Sequence, residues 1–127
     1  MAKKEFLFYG KTLDELKKMS MNEFMEIVPS RQKRSLKRGL TDQQKILLKK
    51  IKSGKKEIKT HVRDMVVLPE MEGLIIKIYR GNSFQTVRIV PEMIGKFLGE
   101  LTYNRKKVEH SAPGIGATRS SASISVK

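Results

Sequence analysis

The spacing of apolar side chains along this chain changes once, near residue 58, from a helical period to a period of two. Before that point, Thr12-Leu13-Asp14-Glu15 and Ser20-Met21-Asn22-Glu23 have the form of capping boxes, each with a hydroxyl three residues before a glutamate. Leu13, Leu16 and Met19 follow the first box, and Phe24, Ile27 and Val28 follow the second, with Pro29 as a stop. The pattern predicts two short helices over residues 12–28, meeting near Ser20. A segment this short is unstable alone and must lie against the body of the protein or a partner. Residues 30–38 predict a further helix closed by Gly39, with Leu36 as its single apolar residue. Thr41-Asp42-Gln43-Gln44 starts the next, in which Ile46, Leu47, Leu48 and Ile51 form a buried stripe and Ser53-Gly54 end the helix.

Beyond the switch, residues 65–68 read as a short strand broken by Pro69. Residues 74–80 and 84–90 read as two longer strands joined by Gly81-Asn82-Ser83, whose Gly and Asn suit a hairpin loop. Glu92-Met93-Ile94 predicts one helical turn ending at Gly95. The fold class is therefore α+β, with a small, three-stranded, mainly antiparallel sheet packed with short helices. After about Tyr103 the pattern stops, and the stretch from His110 to Ser123 is rich in small and polar residues that bury too little apolar area to offset their ordering entropy. The expected organisation is an N-terminal helical extension (1–29), an α+β core (30–103) and an extended basic C-terminal tail (104–127).

Charge is what turns this outline towards a function. The chain has 127 residues and a net charge of +14. Residues 1–28 are neutral, with five basic and five acidic side chains, whereas residues 29–63 carry thirteen basic and two acidic ones. Residues 64–103 come to −1 and residues 104–127 to +4. A block with a net charge of +11 repels itself unless a polyanion neutralises it.

The candidate contacts are Arg34, Lys37 and Arg38 in the basic helix, Lys55 and Lys56 in the turn after the next helix, and His61 and Arg63 beyond it. Lys106, Lys107 and Arg119 in the tail fit a basic arm threading between phosphates. Lys45, Lys49 and Lys52 fit a solvated helix face equally well. Aromatic residues are sparse, which favours backbone and shape recognition of folded nucleic acid over a platform that stacks successive bases.

Other chemistry is poorly supported. The chain has no cysteine, so disulfides, thiolate nucleophiles and Cys-type zinc sites are excluded. His61 and His110 are far apart, no acidic pair has metal-ligand spacing, and His61 fits a stacking or phosphate contact better than a general base. Gly95-Lys96-Phe97-Leu98-Gly99 lacks P-loop spacing. No catalytic, cofactor or metal site is predicted. The four-residue apolar run at Phe6–Tyr9 is short for a signal peptide, and no run approaches the roughly 18 residues that span a bilayer. These features predict a soluble, cytoplasmic protein with no membrane partner.

Several segments together resemble one family. Arg34-Ser35-Leu36-Lys37-Arg38-Gly39, Pro69-Glu70-Met71-Glu72-Gly73, Tyr79-Arg80-Gly81-Asn82-Ser83-Phe84 and the run from Glu92 to Glu100 occur in the order and spacing of the universal small-subunit ribosomal protein nineteen. The N-terminal extension and the tail from Ala112 to Ser121 resemble its archaeal and eukaryotic branch. The resemblance implies a structural, non-enzymatic protein bound to small-subunit rRNA in the head (3′ domain), beside the thirteenth protein of that subunit. It also implies a nearby contact with large-subunit bridge elements and a tail pointing towards the tRNA sites. Carried over by position, Arg34, Lys37, Arg38, His61, Arg63 and Arg105 become the RNA contacts. The hairpin tip departs from the family's Asn-Gly-Lys or Asn-Gly-Arg, because here the charge precedes the glycine in Arg80-Gly81-Asn82. Gly73, Gly81, Gly95 and Gly99 read as backbone-geometry residues. From charge alone, an architectural, chromatin-type DNA binder is the alternative.

Overall fold

A computed structural model describes residues 3–110. Four α-helices precede the sheet: α1 (Leu13–Lys18), α2 (Met21–Ile27), α3 (Ser30–Lys37) and α4 (Asp42–Lys52). Three begin with complete capping boxes, Thr12 with Glu15, Ser20 with Glu23 and Thr41 with Gln44. Each box satisfies backbone donors that would otherwise be left free at the helix start. α3 lacks a side-chain cap and follows Pro29 directly.

The three strands are β1 (Glu57–Thr60), β2 (Ile75–Tyr79) and β3 (Phe84–Arg88), in the order β1-β2-β3. The β2–β3 hairpin is antiparallel, with Tyr79 opposite Phe84, as its loop residues predict. Two features differ from the sequence reading. β1 pairs parallel to β2, so the sheet is mixed rather than mainly antiparallel. The third strand is also residues 57–60 and not residues 65–68.

The reason for the second difference is burial. Residues 65–69 are buried without alternation and thread the core as part of the crossover from β1 to β2. A parallel pair needs such a crossover, usually a helix. Here it is extended chain followed by the 3-10 turn Pro69–Met71. Its backbone groups pair with the segment after β3. Val67 N–H donates to the Lys96 carbonyl (2.7 Å), Gly95 N–H to Val67 (3.0 Å) and Leu98 N–H to Met65 (2.9 Å).

One hydrophobic cluster joins all these parts. Ile58, Ile76, Ile78 and Val87 point inward from the sheet and meet Met65, Val67, Met71 and Leu98 from the crossover and the C-terminal turns. Leu47 and Ile51 enter from α4, and Leu16, Phe24 and Val28 enter from the N-terminal helices. The N-terminal helices therefore dock on the body of the protein. Burying a side chain of this size contributes roughly 1.5–3 kcal/mol. Ile46 is not in the stripe the sequence reading gave it: the buried face of α4 runs through Gln44, Leu47 and Ile51, which leaves Ile46 53% exposed.

Phe8 ties down the chain start. It forms a two-residue hairpin with Lys11 (N···O 2.9 and 3.0 Å), stacks on Phe24 with ring centroids 6.3 Å apart, and lies over Gly95.

Candidate nucleic-acid interface

Which cations are free depends on where the acids lie. Among the described residues, four lysines have acidic partners: Lys17 with Glu72 (2.9 Å), Lys33 with Glu26 (2.8 Å), Lys45 with Asp42 (3.8 Å) and Lys77 with Glu57. The side-chain hydrogen bond from Lys33 and its charge hold the Glu26 carboxyl below the usual range, and Lys77 does the same to Glu57. Among the described residues, none of Arg34, Lys37, Arg38, Lys55, Lys56, Arg105, Lys106 or Lys107 has an acidic partner. All eight are exposed.

The basic helix has an inner face. Gln32 and Leu36, four residues apart, turn inward, and Lys33 reaches back to α2 through Glu26. Arg31, Arg34, Lys37 and Arg38 are left facing outward. Arg31 and Arg38, two turns apart, share a cleft of about 510 Å³ with Ser35, Thr41 and Phe97, in which Asp64 is the one acid. Arg31 was absent from the sequence candidates, although its spacing of seven from Arg38 places both on one helical face.

A second basic cleft, of about 580 Å³, lies between the hairpin tip and the C-terminal segment. It brings Arg80 beside Arg105, Lys106 and Lys107, with Tyr103 80% exposed at its edge. Arg80 Nε donates to Ser83 Oγ (2.9 Å), which braces the side chain in the turn. No local sequence signal joins position 80 to position 105. Lys55 and Lys56 lie in the turn between α4 and β1, and Arg119 lies outside the described residues.

His61 and Arg63, adjacent in the sequence reading, have different surroundings. His61 is exposed and packs against Tyr79 and Phe84, with ring centroids 4.5 and 5.2 Å away. The guanidinium of Arg63 turns into the fold instead. Its Nη1 donates to the Tyr79 carbonyl (2.7 Å) and Thr102 Oγ1 (2.6 Å), and its Nη2 donates to the Gly99 carbonyl (2.8 Å). A planar fork of donors is what three acceptors on two segments, the end of β2 and the turn at residues 98–102, require.

Patches of unpaired arginine and lysine around a small sheet suit phosphate contacts. The family model described as Ribosomal protein S19 matches residues 34–110, which include the second half of α3, the first basic cleft apart from Arg31, and the whole of the second. The chain belongs to the ribosomal protein S19 family. A relative from Saccharolobus solfataricus, small ribosomal subunit protein uS19, is 49% identical over 98% of this chain and 93% of its own length. The S19 match therefore covers the sheet, the crossover and the C-terminal turns as one unit. The similarity to that relative extends across the N-terminal helices as well. Membership gives the chain a structural ribosomal role. Among the described residues, no helix is long and apolar enough to cross a membrane.

Proposed function

We propose that this chain is a structural, non-catalytic constituent of the small ribosomal subunit that binds rRNA of the subunit head, beside the thirteenth protein. The observation that carries the reading is the division of its cations. Lysines with acidic partners brace the fold, while Arg34, Lys37, Arg38, Lys55, Lys56 and the Arg105–Lys107 run project outward with no acidic partner among the described residues.

RNA helices held against these patches lose counterions to the arginines and lysines, which supplies sequence-independent affinity. Arg31 and Arg38 form one fork for phosphates, and Arg80 with Arg105 forms another. Arg63 acts indirectly, by fixing the backbone from which Tyr103 and Arg105 project. The tail, including Arg119, extends the contact between RNA segments towards the tRNA sites and large-subunit bridge elements.

The test is binding of the full chain to a transcript of the small-subunit head domain. If about 6–10 phosphates are contacted, affinity falls on the order of 10³–10⁵-fold between 50 and 200 mM salt. Equal affinity for duplex DNA of the same length would instead favour the architectural DNA-binding reading. A salt-insensitive complex would overturn the electrostatic account.

A further inference from the structure

The exposed side chain of Ile46 lies in a cleft between α4 and the end of β1 that the phosphate patches do not include. The cleft measures about 280 Å³, near the lower end of the ~300–1,000 Å³ typical of small-ligand pockets. Gln43, Ile46, Leu47 and Lys50 supply one wall at helical spacing, and Lys59 and His61 supply the other. Leu47 gives it an apolar floor. His61 is held from outside the cleft by Tyr79 and Phe84, whose rings are 5.3 Å apart, and Lys59 Nζ lies 5.4 Å from the Phe84 centroid. Neither Lys50 nor Lys59 has an acidic partner among the described residues.

We infer that this cleft receives the base of a single unpaired nucleotide of the bound RNA, with the adjoining phosphate on Lys50 and Lys59. The inference rests on the RNA-binding reading and deepens it. An unpaired base has an apolar face for Ile46 and Leu47, a π-face for the braced imidazole, and an edge that the Gln43 amide matches with a donor and an acceptor. Its phosphate supplies the anion that two cations at the rim require. An apolar protein side chain would use the floor and leave both cations unmatched. The occupant is therefore one nucleotide rather than a run of stacked bases, because the cluster offers one braced ring at the cleft.

The test uses the full chain on the head-domain transcript, with two readouts: ribose-backbone footprinting and chemical modification of unpaired bases. Ile46→Lys is the discriminating variant. It adds a positive charge on an exposed position, so phosphate neutralisation alone gives equal or tighter binding. Occupation of the cleft instead requires that one protected base regain the reactivity it has in free RNA, with the backbone footprint retained. Affinity should weaken by roughly 5- to 150-fold, the range measured for loss of a base–aromatic stack. Gln43→Ala should expose the same base, and His61→Phe should keep it protected where His61→Ala does not. Because Gln43 and Ile46 are exposed, thermal melts of both variants should match the parent. Unchanged base protection in Ile46→Lys and Gln43→Ala would overturn the cleft assignment while leaving the RNA-binding reading intact. Loss of a neighbouring protein from the assembled subunit, with base protection unchanged, would assign the cleft to that protein and also overturn it. Absence of any footprint from the parent chain would remove both readings.

Discussion

Arg63 and Gly99 are joined by a pair of hydrogen bonds, each 2.8 Å long: Gly99 N–H donates to the Arg63 carbonyl, and Arg63 Nη2 donates to the Gly99 carbonyl. The contact is tight even for a methyl group. A Cβ on Gly99 would lie 3.1 Å from the Arg63 carbonyl oxygen and 3.3 Å from its Cβ. The pairing joins the crossover to the turn that leads into Tyr103 and Arg105, so a core contact positions one end of the basic cleft.

Arg63→Ala should therefore act on stability before it acts on RNA binding. It leaves the Tyr79 and Gly99 carbonyls and Thr102 Oγ1 without their donor, at about 1–3 kcal/mol for each group that stays buried. A loss of roughly 2–4 kcal/mol in denaturant unfolding is expected. Arg63→Lys should recover little of it, since an ammonium cannot reach three acceptors in the geometry of a planar fork. Gly99→Ala should cost about 1–3 kcal/mol by crowding the same contact. If Arg63→Ala melts like the parent, the clamp is unimportant and Arg63 returns to the list of RNA contacts.

Gly95 has a comparable role for the chain start. Its φ is +82°, and a Cβ there would lie 2.9 Å from Cζ of Phe8. Gly95→Ala combines left-handed strain with expulsion of the Phe8 ring, for a cost of roughly 1–3 kcal/mol. Loosening of residues 3–11 should appear as faster amide exchange at Phe8 and Lys11, which bond each other across the hairpin. Exchange unchanged at both positions would show that the ring is not what anchors the segment.

Much of this fold is legible in the sequence, for identifiable physical reasons. Capping boxes are local, so Thr12–Glu15, Ser20–Glu23 and Thr41–Gln44 mark three helix starts correctly. The hairpin is local too, and Gly81 takes φ +105° as its loop requires. What escapes is non-local. Residues 65–68 look like a strand because they are all apolar and include the β-branched Val66 and Val67. They lie instead in a two-sided core, where burial removes the alternation that distinguishes a sheet strand. Glu57–Thr60, the true strand, contributes only Ile58 and Thr60 to the buried face. Arg63 resembles every other cation in its stretch until the fold brings three carbonyl and hydroxyl oxygens to it. The exposure of the eight candidates follows from their place in an all-basic helix, a turn and the C-terminal segment, whereas the neighbours of Arg31 and Arg80 depend on the fold.

Acid should weaken the fold in a defined window. Glu15, Glu26 and Glu57 are all held below the ordinary 4.5. For Glu15 the leading cause is the backbone hydrogen bond from Thr12, and for the other two it is a lysine hydrogen bond. A carboxylate with a depressed folded pKa contributes stability that is fully present above its unfolded value and is lost as pH falls through the folded one. Thermal midpoints should therefore fall as pH drops below 4.5. The triple variant Glu15→Gln, Glu26→Gln, Glu57→Gln should have a shallower acid limb. Because all three carboxylates are at the surface, the difference should be small and should shrink with added salt. Identical limbs would mean that other acids dominate.

Lys33 and Lys37 are on the same helix, one turn apart, and differ in burial and in pairing, which separates structure from function. Lys33 is matched by Glu26 at 2.8 Å, whereas Lys37 has no acidic partner within ion-pair distance among the described residues. Lys37→Ala should weaken binding to head-domain RNA and lower the slope of log K against log salt by about 1, the signature of one lost phosphate contact. Lys33→Ala should change the slope much less, because Glu26 already neutralises its charge. Removing Arg34, Lys37 and Arg38 together should lower the slope by about 3 while leaving the helical circular dichroism intact, since all three face solvent. Equal slopes for Lys33→Ala and Lys37→Ala would mean that the chain's overall charge, rather than the position of its unpaired cations, sets RNA affinity.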